Sequence, residues 1–166
     1  MDIVSHALIG KIISLPEKSK RPVFWIIFFS VLPDFFQLPF YFFLGYINKR
    51  PFLIPHNSDW EGVRNLYPVL DFIQAMGHSF LFALLIILPI VLILKLPKLA
   101  FWAYIVHLLI DLPTHTGEWA VKPFYPFNYS VNGFTDAWSW PLWTMAISWI
   151  ILIAVIIILK RYYKKQ

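Results

Sequence analysis

An all-α integral membrane bundle is the fold this sequence predicts, and three observations predict it. Of 166 residues, 59% are hydrophobic and 14% charged, where a soluble domain carries about a quarter charged residues. Long apolar runs alternate with short basic turns. Finally, the stretch Tyr104 to Trp119 sets His107, Asp111 and His115 four residues apart, and then four again, among Ile, Val and Leu. At 3.6 residues per turn that spacing stacks them on one helix face. Cys is absent, so disulfides, thiol nucleophiles and thiolate metal sites are excluded. The length suits one domain, residues 1–166.

The elements follow in order. Ile3 to Leu15 is apolar but short for a span, so it reads as a partly inserted N-terminal helix with Asp2 as N-cap. Met1 to Gly10 has no basic n-region and carries His6, so a cleavable signal is not expected. Pro16 to Pro22 is a basic turn. Val23 to Tyr46 is the first of about four spans, interrupted at Pro33-Asp34 and Pro39. Asn48 to Leu70 is a polar loop. Phe72 to Leu94 is the second span, holding Gly77-His78-Ser79 near its start. Lys95 to Lys98 turns the chain into Leu99 to Leu112, the third span, where Pro113 kinks or ends the helix and sets His115 in the following loop. Thr114 to Trp140 is a loop rich in Pro, Tyr and Trp. Pro141 to Leu159 is the fourth span, and Lys160 to Gln166 a basic tail.

Charge orients this arrangement. Lys11, Lys18, Lys20, Arg21, Lys95, Lys98, Lys160, Arg161, Lys164 and Lys165 share one side if every segment crosses. The positive-inside rule makes that side cytoplasmic, places the chain in the plasma (inner) membrane with its C-terminus inside, and leaves the two long loops outside. Counted at 1.5 Å per residue from the basic turns, His6 and His107 lie ~14 Å up, Asp34 ~18 Å, Asp111 ~20 Å and His78 ~26 Å. With His115 they form one layer running from mid-membrane to the outer face.

Singly, each has a bland reading: a buried or interfacial His, or an Asp capping a helix. Together, four His and two Asp are the donor types that zinc and related ions take, in a number sufficient for one or two ions. Intramembrane ionisable residues call for partners by default.

The order His6, Pro33-Asp34, Gly77-His78-Ser79, His107-x3-Asp111-x3-His115 resembles the LexA-binding, inner-membrane family of metal-dependent hydrolases over nearly the whole chain. The ligand order alone is similar to the zinc-dependent phospholipases C and the zinc single-strand nucleases. Those use a processed amino terminus and a later His-x3-Glu pair; here no His follows His115, and Glu118 stands nearest. The resemblance implies a metal-dependent hydrolase. Repressor binding, carried in the family's name, has no support in these residues, and no nucleic-acid partner is expected.

The expected function is therefore a membrane-embedded phosphoesterase that acts on a lipid or lipid-linked phosphoester in the bilayer. His6, Asp34, His78, His107, Asp111 and His115 would be metal ligands, and Asp34 or Glu118 the general base. Ser79, Thr114 and Thr116 lack a triad pattern and read as hydrogen-bonders. Arg50, Arg64 or Lys122 would hold a phosphate, although such loop cations are more often simply solvated. Two other classes compete. A metal-ion or proton transporter would use the same His/Asp cluster but needs polar groups on the cytoplasmic side of the layer. A structural scaffold would carry a folding metal with no open coordination position.

Overall fold

The structure is a computed structural model that describes residues 2–55, 57–60, 62 and 66–164. Its described residues form helices, short 3₁₀ turns and one isolated antiparallel bridge, Val121 with Val131. Seven main helices follow in order: α1 (Ile3–Ile13), α2 (Lys20–Phe35), α3 (Leu38–Ile47), α4 (Pro68–Gly77), α5 (Phe80–Ile93), α6 (Lys98–Thr114) and α7 (Leu142–Tyr163).

Local chemistry sets these boundaries. Asp2 caps α1 as expected, its Oδ1 accepting from Ser5 N at 3.0 Å. It also accepts from Trp149 Nε1 at 3.0 Å, which ties α1 to α7. The apolar run after Lys20 bends by 45° between α2 and α3, just beyond Pro33, which cannot donate its helical hydrogen bond. Within α5 the turn Ala83–Ile87 widens to a π-helix ahead of Pro89, the usual way a helix makes room for a proline ring.

The second apolar run differs from the sequence expectation. It begins at Pro68 and breaks at His78-Ser79 into α4 and α5, which meet at 59°. Ser79 caps a new helix there, its hydroxyl accepting from Leu81 N at 3.2 Å. The second loop supplies acceptors at the same point: Pro123 O takes Phe80 N at 2.8 Å, and Ser79 Oγ donates to Tyr125 O at 3.1 Å.

Among the described residues α7 is the one helix that is by itself long and apolar enough to cross a membrane. The bent pairs α2–α3 and α4–α5 reach that length when each is counted as one span. A core of Ile26, Phe29, Ile87, Val91, Tyr104 and Leu108 joins α2, α5 and α6. A smaller cluster about Leu44 and Leu70 includes Trp60 and Trp119 and so links the two long loops.

Candidate metal centre

Helix packing brings five of the sequence-selected residues into contact. α1 meets α2 at Gly10 and Ser30, where only a hydrogen fits on Gly10. The Ser30 hydroxyl donates to His6 O at 2.9 Å, fixing that turn of α1. The break between α4 and α5 delivers His78. Gly77 lets it come close to α2, because a Cβ there would stand 3.0 Å from Phe36 and 3.4 Å from Pro33 O. Tyr104, fully buried one turn before His107, donates its hydroxyl to Gly77 O at 2.5 Å.

Backbone carbonyls determine which nitrogen each imidazole offers. A carbonyl only accepts, so a ring nitrogen facing one carries the proton. His107 Nδ1 donates to Ser30 O at 2.7 Å and His78 Nδ1 to Gln74 O at 3.0 Å. Each ring therefore turns Nε2 inward, and these two nitrogens stand 3.4 Å apart.

Two carboxylates complete the group. Asp111 Oδ2 lies 3.0 Å from His107 Nε2 and 3.4 Å from His78 Nε2. Asp34 Oδ1 lies 3.7 Å from both. Four ligands at about 2.0–2.1 Å from a tetrahedral ion would stand about 3.3–3.5 Å from one another. These five separations, 3.0 to 3.7 Å, bracket that value. Asp34, His78, His107 and Asp111 can therefore hold a metal ion.

His6 stacks on His107 with ring centroids 3.6 Å apart. Its Nε2 faces the other carboxylate oxygens, 3.2 Å from Asp111 Oδ1 and 4.0 Å from Asp34 Oδ2. Both ring nitrogens of His6 and Asp34 Oδ2 are buried without a hydrogen-bond partner, a costly state for polar atoms. His115 lies just past the end of α6 as its C-cap, off the helical stripe, as Pro113 implied. Its Nδ1 donates to Asp111 O at 3.1 Å and lies 3.8 Å from Asp111 Oδ1, outside the group of four. Burial pushes this imidazole down to about 4, so it is neutral near pH 7.

The remaining candidates stand apart. Glu118 is exposed, and its Oε1 accepts from Gly62 N at 3.4 Å. Arg50 grips Asp59 through two bonds of 2.7 and 2.9 Å, which holds its guanidinium above its ordinary range. Lys122, read from sequence as a solvated loop cation, is paired at 2.8 Å with Asp71 in the first turn of α4. Arg64 lies outside the described residues. Ser79 and Thr114 are hydrogen-bonders, Thr114 donating to Ile110 O at 3.2 Å.

Sequence reasoning did not find Ser30, Gln74 or Tyr104 in their supporting roles. The available signal was a hydroxyl or amide inside an apolar run. Comparison of the chain with family models, curated proteins and solved structures finds no match in any of the three. Among the described residues, fold and site define a helical chain with one membrane-length helix and a His/Asp group able to bind a metal ion.

Proposed function

We propose that this chain is a membrane-embedded, metal-dependent hydrolase, a phosphoesterase acting on a lipid or lipid-linked substrate. One observation carries the reading. Two imidazole lone pairs and two carboxylate oxygens converge on a single point in an apolar bundle, with both tautomers set from outside by carbonyls. A shared proton satisfies one pair of such atoms; a cation satisfies all four. The all-nitrogen and oxygen donor set favours zinc among common ions. The unpartnered nitrogens of His6 favour a second ion, which His6 would hold together with Asp34 and Asp111.

A divalent ion bound there supplies Lewis acidity to water and to a phosphoryl oxygen. The side chains do the rest. Asp111, fully buried, offsets metal charge. Asp34 retains 16% of its side-chain exposure where Asp111 retains none, so it is the more accessible carboxylate, and it could take a proton through Oδ2 where no second ion is bound. Glu118 would need the Gly62 segment to release it. The resemblance of the His and Asp order to the LexA-binding, inner-membrane hydrolases points to the same reaction class.

In the proposed topology α2–α3, α4–α5, α6 and α7 are four spans and α1 is partly inserted. The lysine-rich ends face the cytoplasm and the centre opens outward, at the depth of a phospholipid headgroup. Metal analysis of the purified protein together with a panel of phosphodiester and phospholipid substrates tests the proposal. The wild type should contain or take up zinc, and Asp111→Asn should lose metal and hydrolysis while remaining folded. Asp136→Asn, in the second loop, should retain both. Wild-type protein that binds no divalent ion would refute the reading.

A further inference from the structure

The turn between α1 and α2 carries a second feature, away from the metal group. An open depression of about 320 Å³ is lined by Lys11, Glu17, Lys18, Ser19, Lys20 and Phe24. Lys20 precedes Ser30 by ten residues on one helix, about 15 Å along its axis. The two sites are therefore separate.

We propose that this depression binds the phosphate of an anionic phospholipid. Three lysines, from α1, the turn and α2, line one depression, with Glu17 its single carboxylate. Arg50 and Lys122 are neutralised in place, by Asp59 and Asp71. Among the described residues Lys11, Lys18 and Lys20 enter no such pair. Ser19 adopts an extended backbone and makes no capping bond, so its hydroxyl stays available beside the N-terminus of α2. The unclaimed N–H groups of that first turn add their dipole to the lysine charge.

The walls decide between a lipid and a soluble anion. Val23 and Phe24 line the depression too, and Phe24 is 59% exposed at the start of the apolar run of α2. Lysine charge beside the exposed ring of Phe24 matches a headgroup with its acyl chains, and a free phosphate gains nothing from Phe24. Glu17 can accept from a headgroup hydroxyl while the wall stays net positive. A lipid held there would fix the depth of the α1–α2 hairpin, which carries His6 and Asp34.

The inference rests on the membrane topology proposed above, and one experiment separates the two. The full chain is reconstituted into phosphatidylcholine vesicles with graded phosphatidylglycerol, and retained lipid is measured after re-extraction. Phosphatidylglycerol should be retained over phosphatidylcholine, the preference falling about fivefold for each lysine removed in Lys18→Gln and Lys20→Gln. Lys95→Gln with Lys98→Gln, the same charge loss outside the depression, should leave it nearly unchanged. Equal loss in both pairs, or no preference in the wild type, overturns the site. Displacement of the lipid by millimolar inorganic phosphate overturns its assignment to a lipid. Failure of the chain to float with vesicles of either composition overturns the topology, and the site with it.

Discussion

Gly10→Ala reaches the metal centre without touching a ligand. A Cβ on residue 10 would stand 2.8 Å from Ser30 Cβ and 3.1 Å from Ile27 Cα, and would collide with Ser30 Oγ. The hydroxyl can swing away only by giving up its bonds to His6 O and Ile27 O. The two carbons cannot move aside, and ordinary contact begins at 3.4 Å, so α1 must retreat from α2 by about 0.6 Å. Overpacking of that kind costs about 1–3 kcal/mol, and leaving the buried Ser30 hydroxyl without its acceptors about 1–3 kcal/mol. The better helix propensity of Ala returns about 1 kcal/mol. The net loss of stability is then about 1–5 kcal/mol. Because His6 rides on α1, the position it forms with Asp34 and Asp111 should empty before the group of four does. Thermal unfolding and metal stoichiometry read these two effects, and Ser30→Gly in the Gly10→Ala background should recover part of the stability but not the His6 hydrogen bond. Gly10→Ala with the wild-type melting temperature and metal content would refute the argument.

Gly133→Ala should act from the other side, because a Cβ there would lie 2.6 Å from Pro113 O and 2.8 Å from His115 O, where the second loop caps α6; a lower melting temperature and weaker metal retention are expected, and unchanged values would show that the loop adjusts. Tyr104→Phe removes the donor to the buried Gly77 carbonyl and should cost about 1–3 kcal/mol by chemical or thermal denaturation, with faster metal loss to a chelator because His78 is the next residue. A reporter fused after Gln166 should be cytoplasmic and one inserted near Asn132 external; the opposite pattern would put the metal centre at the cytoplasmic face.

Spacing made the most important part of the site legible. His107 and Asp111 share a face because i and i+4 do, and Pro113 announced the end of the helix one residue before it occurs. Counting rise from the basic turns put residues of four segments at one depth, and five of them meet. What spacing could not supply was anything that depends on a partner far along the chain. The break at His78 arises because Pro123, forty-odd residues later, offers an acceptor there. The two loop ion pairs likewise depend on tertiary approach, so Arg50, Lys122 and Asp71 looked solvated when read alone. Gly10 gave no sign of its role, since a glycine that admits a neighbouring helix looks in sequence like any other.

The spread of the ligands along the chain constrains how the protein is made. In the proposed topology Asp34 leaves the ribosome 73 residues ahead of His107, roughly 4–15 s at ~5–20 residues per second. For the first 44 of those residues neither His78 nor His107 has been made, and a charge short of its partners is expelled from hydrocarbon. The first hairpin therefore waits near the lipid–water boundary and sinks to its final depth when α6 arrives. α1, with 11 residues, is too short to anchor itself meanwhile. Completion of the centre is thus the event that seats the N-terminal third of the chain, and a nascent chain halted before His107 should keep that third accessible to a water-soluble label.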